Sequence, residues 1–245
     1  MKGVLASRAP QARVVDISHD IPAQDLLRGG LVWASATPYF PPGSIHIAVV
    51  DPGVGGRRRI LAFEARGVVF LVPDNGMIGY VLERREVRRV VNVTRCELFL
   101  KPLSATFHGR DIFAPVAAAL AGGLEPVACG REVKSYRRLG LPRPRRRWVR
   151  SGRQRRLRLG GEVVAVDHFG SLITNLRPEP DASLAYIECG TLRLEGLSRA
   201  YGDVRRGQAV ALVGSTGHVE IAVRDGNAAR IHSVGIGQPV ASEWV

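Results

Sequence analysis

The stretch GSIHIAVVDPGVGGRRRILAFEARGVVFLVPDNG, residues 43–76, contains three apolar runs separated by glycine-containing turns. Short runs rich in valine, isoleucine and phenylalanine are typical of buried strands. We therefore expect one strand that ends at Asp51 and two further strands that end at the turn of residues 73–76. Functional side chains of open α/β sheets gather where such strands pass into loops.

The segments around this stretch predict helices and one more strand. Residues 22–40 carry apolar side chains at helical spacing behind Asp25, and residues 111–123 form a short apolar segment that ends in two glycines. Residues 12–21 (ARVVDISHDI) are typical of a strand with an acidic end. Strands that alternate with helices predict a sandwich-like α/β domain over residues 1–130.

The second half of the chain has a different pattern. Residues 131–160 are rich in proline, glycine and arginine without a clear period, which predicts a linker between domains. Residues 161–245 contain short strand candidates separated by Gly/Asp turns. Their spacing predicts a small C-terminal all-β, barrel-like domain.

Charge and composition exclude several classes of protein. Of the net charge of +13, residues 131–158 carry +12, so the sequence does not predict a uniformly basic nucleic-acid-binding face. A nucleic-acid-binding module confined to this segment stays as an alternative, although only Tyr136 and Trp148 could stack on bases. No apolar run is long enough to cross a bilayer, and the N-terminus lacks a signal-peptide pattern, so we expect a cytoplasmic protein.

Metal, nucleotide and serine-hydrolase motifs are missing from the sequence. The six histidines show no HxH or HExxH spacing, and the three scattered cysteines form no CxxC pair, so we expect no metal. There is no GxGxxG, P-loop or GxSxG motif either.

Two segments of the first domain carry side chains that could perform chemistry. Asp51 and Arg58 flank a tight Pro-Gly turn, where the guanidinium would keep the carboxylate ionised as a hydrogen-bond acceptor that orients a water. A loop-stabilising ion pair is the alternative. His108 lies beside Phe107 just before a helix that Asp111 could cap, and a purely structural histidine is the alternative there.

Two segments of the second domain suit a small-molecule pocket. In residues 166–175 (VDHFGSLITN) an acid, an aromatic ring and polar side chains interrupt a strand. In residues 214–229 two glycine-bearing turns flank an alternating strand, so that backbone amides could approach a ligand. Ordinary hairpin turns explain the second pattern equally well.

Six of these segments occur in an order that resembles one protein family. They are VVDISHDIPAQD, PYFPPGSIHIAVVDPGVGGRRR, PDNG, TFHGRDIFAP, VDHFGSLITN and GHVEIAVRDGNAA. The sequence is similar to the S-adenosyl-L-methionine (SAM) hydroxide adenosyltransferases, or SAM hydrolases, which are relatives of the fluorinases and chlorinases. The resemblance covers nearly the whole chain.

This resemblance implies an architecture and a reaction. The family combines an α/β N-terminal domain with a small β-barrel-like C-terminal domain in a homotrimer whose sites lie between subunits. The resemblance further implies that water attacks the ribose 5′ carbon of SAM in line, which releases adenosine and L-methionine without a metal or cofactor. The Asp51 carboxylate counts against halogenation because it would repel a halide.

The resemblance also implies the roles of individual residues. The family's catalytic set falls on Asp51, Arg58 and His108, where Asp51 orients the water, Arg58 is its charge partner, and His108 completes the hydrogen bonds of the water or takes a proton. The implied substrate-binding residues are Gln24, Asp25, Phe107, Asp167, Phe169, Ser171, Ser215, Asn227 and Ala228. Of these, Asp167 matches the acid that contacts the methionine amine.

The sequence departs from the family pattern in two places. The family has a strand and a TDFG-type loop ahead of the position of Met1, and its acid holds the ribose hydroxyls. We expect a start codon upstream of Met1; a truncated, weak or inactive SAM- or adenosine-binding protein is the alternative. His168 and Ser171 replace an arginine and an asparagine of the family, and a serine keeps only part of the amide's hydrogen bonding.

Overall fold

The computed structural model describes residues 1–82, 86–87, 89–151 and 154–245. These residues fold as two compact units, Met1–Gly140 and Leu141–Val245. None of the helices in the described ranges is both long and apolar enough to span a bilayer.

The first unit is built on a five-stranded sheet with the order β1-β3-β2-β4-β5. Its strands are β1 (Ile45–Ile47), β2 (Ile60–Ala65), β3 (Val68–Pro73), β4 (Val91–Val93) and β5 (Gly130–Glu132). Strands β1 and β3 are parallel, and the other pairs are antiparallel. The strand pair predicted from the two apolar runs is therefore confirmed, and its side chains are almost all buried because both faces of the sheet are covered.

Helices cover this sheet. They are α1 (Lys2–Arg8), α2 (Leu26–Ala36) and α3 (Ala114–Ala121). Helix α2 begins where the sequence predicts, since the Asp25 carboxylate accepts a hydrogen bond from the amide of Arg28 as an N-cap. Helix α3 is apolar on almost all sides and packs into the core with Phe113 and Leu71. The mixed α/β character of this unit is confirmed.

Three local predictions for this unit are wrong. The strand expected to end at Asp51 ends earlier, at Ile47 of β1. Residues 12–21 form no strand; they are irregular chain after α1, and residues 12–19 line an open cavity. Asp111 does not cap α3, because a π-helical turn, Gly109–Phe113, leads directly into that helix. The Asp111 carboxylate instead accepts hydrogen bonds from the Ser104 amide and from Arg110.

The second unit is an eight-stranded antiparallel sheet that curves into a nearly closed barrel. Its strands are β6 (Arg145–Ser151), β7 (Gln154–Val166), β8 (Leu172–Thr174), β9 (Leu184–Cys189), β10 (Leu192–Glu195), β11 (Ala209–Val213), β12 (Val219–Val223) and β13 (Pro239–Trp244), with the short helix α4 (Ala228–Ile231). The order is β10-β9-β13-β7-β8-β12-β11, and β6 pairs with β7. Trp244, Ile187, Leu172 and Ile221 fill the core. The all-β character of this unit is confirmed.

The segment predicted as a linker contains a hairpin instead. Strands β6 and β7 pair over residues 145–151 and 154–160, while residues 152 and 153 lie outside the described ranges. Leu157 and Leu159 are buried and alternate with Arg156 and Arg158. This two-residue period is confined to β7, whereas β6 begins with three consecutive arginines, residues 145–147, and shows no such period, so the sequence did not indicate a hairpin.

Candidate active site

The loop that follows Asp51 brings two distant parts of the first unit together. Gly55 has a φ of 75°, and a Cβ atom there would collide with the carbonyl oxygen of Ala105. Only glycine permits both this conformation and this close approach. The glycines of the DPGVGG turn therefore allow the Asp51 loop to pack against the loop that carries His108.

Arg58 lies between the two other side chains of the predicted catalytic set. Its Nε and Nη2 atoms are 2.7 and 2.6 Å from Oδ2 of Asp51, and Nη2 is 2.8 Å from Nδ1 of His108. The side chains of Asp51 and Arg58 are only 4% and 10% exposed. The structure thus brings Asp51, Arg58 and His108 into one hydrogen-bonded chain, although Asp51 and His108 are 57 residues apart in the sequence.

The contact with Arg58 fixes the tautomer of His108. A guanidinium only donates hydrogen bonds, so Nδ1 of His108 accepts, and the proton of the neutral ring is on Nε2. Burial and the positive charge of Arg58 lower the pKa of His108 from its usual value, although Asp51 and Asp111 partly oppose this. His108 is therefore a neutral hydrogen-bond donor through Nε2–H near pH 7.

Asp51 keeps one carboxylate oxygen for another partner. Its Oδ2 atom receives the arginine, whereas Oδ1 is buried and has no hydrogen-bond partner within the ranges that the structure describes. A buried carboxylate oxygen without a donor is costly, because the charge has lost its hydration. The site therefore favours a ligand or solvent molecule that donates a hydrogen bond to Oδ1.

A cavity of about 500 Å³ in the first unit is lined by Asp51. This volume lies within the range of small-molecule sites. Its other walls include residues 17–19 and 21–24, residues 47–50, the Gly29, Val32 and Trp33 face of α2, and Met77. Gln24 lines this cavity, whereas the side chain of Asp25 caps α2.

The loop before His108 is held by a residue whose role the sequence did not reveal. Asp111 is buried, and its two carboxylate oxygens bind the Ser104 amide at 2.8 Å and Arg110 at 2.5 and 3.0 Å. The Arg110 hydrogen bonds, followed by that of Ser104, lower the pKa of Asp111 to about 2. Phe107, a predicted pocket residue, is exposed beneath the guanidinium of Arg110.

In the second unit, the predicted residues of one motif surround a tight turn. The Asp167 carboxylate accepts a hydrogen bond of 2.7 Å from the Ser171 amide. Gly170 has a φ of 88° and lies against Asn227, whose side chain caps the short helix α4 that begins at Ala228. Between them, the Phe169 side chain is 75% exposed. The structure therefore places Asp167, Phe169, Ser171, Asn227 and Ala228 in one region.

Ser215 lies in the next turn, beside two residues that the sequence analysis missed. Glu220 packs against Gly214 and accepts a hydrogen bond of 3.3 Å from the Tyr201 hydroxyl. Burial raises the pKa of Glu220, the Tyr201 hydrogen bond opposes the rise, and the charge of Asp167 adds to it. This coupling indicates that Glu220 lies near Asp167. Tyr201 belongs to no motif, so nothing in the local sequence pointed to it.

Among the residues that the structure describes, no three His, Cys, Asp or Glu side chains are arranged to hold a metal ion. Of the residues above, Asp51 and Gln24 line the cavity of the first unit, and Arg58 links Asp51 to His108 by hydrogen bonds. What they can do without further groups is orient a small polar molecule against Asp51 and stabilise charge through Arg58.

Comparison with known proteins agrees with the motifs. The family models described as the SAM hydroxide adenosyltransferase N-terminal and C-terminal domains match residues 1–130 and 161–241. The chain is 39% identical over 237 residues to an (R)-S-adenosyl-L-methionine hydrolase of Salinispora tropica, which covers 95% of this chain and 87% of the relative. It is also 39% identical over 247 residues to the enzyme of the same name from Thermus thermophilus, covering 98% and 91% of the two chains.

More distant and structural relatives extend this result. A fluorinase of an Actinoplanes species is 24% identical over 199 residues, which cover 71% of this chain and 65% of the fluorinase. The crystal structure of an uncharacterized conserved protein from Thermotoga maritima matches with a TM-score of 0.84 at 32% identity, covering 98% of this chain and 92% of that one. The chain therefore belongs to the SAM hydroxide adenosyltransferase family.

Proposed function

We propose that this protein hydrolyses SAM to adenosine and L-methionine, as the names of its relatives at 39% identity indicate. The observation that carries the proposal is the buried Asp51 carboxylate, which has one oxygen engaged by Arg58 and the other without a partner in the described ranges. Such a group is suited to hold a water molecule by accepting one of its hydrogens.

In the proposed reaction, the water bound to Oδ1 of Asp51 attacks the ribose 5′ carbon. The new O–C5′ bond forms as the C5′–S bond breaks, and the sulfur keeps the electron pair and leaves as the neutral thioether of methionine. The attacking oxygen then loses one proton through Asp51 to solvent, which leaves the 5′-hydroxyl of adenosine. Sulfonium is a good leaving group, so positioning in the cavity contributes most of the rate.

His108 acts as a hydrogen-bond donor in this proposal. Of its two predicted roles, taking a proton is disfavoured because Nδ1 already accepts from Arg58 and Nε2 already carries the ring proton. The lowered pKa also opposes protonation near pH 7. Its Nε2–H group would complete the hydrogen bonds of the water and direct the oxygen lone pair toward the carbon.

Water is the proposed nucleophile rather than a halide. Asp51 is nearly fully buried, and a carboxylate in that environment repels an anion more strongly than it would in water. The positive charge of Arg58 is already engaged by Asp51. Chloride or fluoride added to the reaction should therefore give no halogenated nucleoside.

We also propose the remaining contacts to the substrate. Asp167 would bind the α-ammonium group of the methionine part, and Phe169 would pack on the substrate. The other proposed binding residues are Gln24, Phe107, Ser171, Ser215, Asn227 and Ala228. We propose a cytoplasmic homotrimer, which light scattering of the purified protein would test.

The direct test is incubation of the purified protein with SAM, with adenosine and methionine followed by chromatography. The proposal expects both products in equal amounts. Binding of SAM without release of adenosine would contradict it, as would a halogenated product when the reaction contains chloride.

A further inference from the structure

The turn of residues 73–76 contacts both ends of the loop that carries Asp51 and Arg58. On the entry side, Nδ2 of Asn75 donates a hydrogen bond of 2.6 Å to the carbonyl oxygen of Val50. Val50 immediately precedes Asp51, so this bond fixes the peptide from which the catalytic carboxylate projects. Oδ1 of Asn75 accepts from the Met77 amide at 3.1 Å, which sets the orientation of the side-chain amide.

On the exit side, Asp74 holds Arg59, the residue that follows Arg58. The Asp74 amide donates to the Arg59 carbonyl at 2.9 Å. Its Oδ2 atom accepts from the Arg59 guanidinium at 2.8 and 2.6 Å, and Oδ1 accepts from the Arg137 amide at 2.7 Å. The Asp74 side chain is almost completely buried, so these bonds are protected from water.

Apart from the pair of Asp51 and Arg58 itself, the loop between these two anchors has few hydrogen bonds within it. Its backbone bonds join Val54 to Asp51 and Gly56 to Gly53. By contrast, the turn continues β3, which lies between β1 and β2 in the sheet, and Gly76 closes it with a φ of 97°. The rigid sheet therefore determines the loop geometry through Asp74 and Asn75.

We infer that Asp74 and Asn75 are positioning residues for the reaction, because they clamp the two ends of the loop that places Asp51 against Arg58. The inference rests on the proposed function of that pair. Neither side chain bonds to Asp51, Arg58 or His108, so they act only through the backbone of Val50 and through Arg59. A displacement of about 1 Å in a reacting group can reduce the rate about 100-fold.

The test compares Asn75→Ala with wild type and with a matched control, Thr37→Val. Thr37 is buried, whereas Asn75 is partly buried, and like Asn75 it donates a side-chain hydrogen bond to a backbone carbonyl of the same unit, that of Trp33 at 2.8 Å. We expect kcat for adenosine release to fall about 100-fold in Asn75→Ala with KM changed less than about threefold. Thr37→Val should lower Tm by about as much as Asn75→Ala does, but it should leave kcat near that of wild type.

A second measurement does not depend on turnover. Burial is the larger cause of the lowered pKa of His108 and the charge of Arg58 is the second. Loss of the clamp should separate Arg58 from His108, so NMR titration in Asn75→Ala and in Asp74→Asn should show the pKa of His108 rise by the part that Arg58 contributes. The other charged groups near His108, Asp51 and Asp111, are unchanged in these variants. In Asp74→Asn, the neutral amide holds Arg59 less strongly, so kcat should fall about tenfold.

The outcomes separate the two proposals. If wild type releases no adenosine, the proposed function fails, and the His108 titration still decides whether the clamp exists. The positioning role is refuted if two results occur together: the loss of kcat in Asn75→Ala is no larger than the loss in Thr37→Val, and His108 of Asn75→Ala titrates as in wild type.

Discussion

Two groups of arginines in this protein perform different physical tasks. In the first unit, Arg58 is 10% exposed and bridges a buried carboxylate and an imidazole. In the second unit, the hairpin of β6 and β7 carries arginines on its surface, such as Arg146, which is 57% exposed and pairs with Glu179 at 2.7 Å. By the number of arginines alone, the hairpin would be taken as the functional region of the protein. Burial and hydrogen bonding instead indicate that the functional arginine lies in the short loop.

The difference follows from desolvation. A surface ion pair gains little, since water and salt screen both charges. A buried pair has lost its hydration, so its strength and direction depend on each hydrogen bond. The hairpin also places Arg147 opposite Arg158 and Arg150 opposite Arg155, where like charges repel. Hairpin arginines such as Arg147 and Arg150 therefore contribute mainly to solubility, whereas Arg58 and Arg59 hold the geometry of the loop.

The largest expected effect comes from removing the charge at Asp51. Asp51→Asn keeps the size of the side chain but weakens both the acceptor for water and the partner of Arg58. We expect kcat to fall about 1,000-fold with a small change in KM, measured as adenosine release. Glu179→Gln, which removes the acidic partner of Arg146 in the second unit, is the control and should retain wild-type turnover. Equal losses of kcat in the two variants would contradict the assignment of catalysis to the Asp51 loop rather than to the hairpin.

The next effect tests whether Arg58 acts through its shape or through its charge alone. Arg58→Lys retains the charge but loses the planar fork that reaches Asp51 and His108 together. We expect kcat to fall about 100-fold. Arg147→Lys, at an exposed position of the hairpin, should leave kcat unchanged. A fully active Arg58→Lys would show that charge is sufficient.

The buried His218 makes the stability of the second unit depend on pH. Burial and the charge of Arg177 lower the pKa of His218 from 6.5 to about 4. Between these pH values the unfolded chain binds the proton and the folded chain does not. The contribution of His218 to the free energy of unfolding is therefore fully present above pH 6.5 and is lost as the pH drops to about 4. The loss should reach about 3 kcal/mol, measured by urea unfolding at several pH values. His218→Gln should flatten this slope, and an unchanged slope would contradict the assignment.

A smaller effect is expected where hairpin arginines meet a buried acid. Glu243 is buried and accepts hydrogen bonds of 2.7 Å from Arg156 and from Arg158. Glu243→Gln should lower Tm by about 5 °C, since one strong acceptor is lost while the shape is kept. Turnover at temperatures below the transition should not change; a specific loss of kcat would place this pair in the catalytic machinery.

The smallest effect is expected for the pair of Arg146, which is 57% exposed, with Glu179, which is 14% exposed. Arg146→Gln should change the free energy of unfolding by less than about 1 kcal/mol, because its pair with Glu179 is partly screened by water. The measurement is urea unfolding at low and high salt. A larger, salt-dependent loss would mean that the hairpin arginines stabilise the unit more than their exposure indicates.

The sequence alone predicted the elements whose local pattern agrees with their environment. Asp25 before an apolar helical pattern predicted α2, and the two apolar runs around residue 66 predicted β2 and β3. The pattern misled at residues 12–21, where alternation without a pairing partner forms no strand. It misled again at the hairpin, where exposed arginines concealed the alternation of Leu157 and Leu159.

The candidate site was predictable only in part for a similar reason. Asp51 and Arg58 are close in sequence, so their pairing could be inferred from the turn. The contact of Arg58 with His108, 50 residues away, depends on the approach of Gly55 to Ala105, which no local pattern records. The family resemblance supplied His108, whereas the tautomer of His108 and the clamp of Asp74 and Asn75 required the structure.

The most direct test of the account is a crystal structure of the protein with adenosine and methionine bound. The 5′-hydroxyl oxygen of the adenosine is the oxygen that entered as water. The account predicts that this oxygen lies about 3 Å from Oδ1 of Asp51, within hydrogen-bond distance. An adenosine whose 5′-oxygen is beyond hydrogen-bond reach of Asp51, or which contacts a different acid, would contradict it.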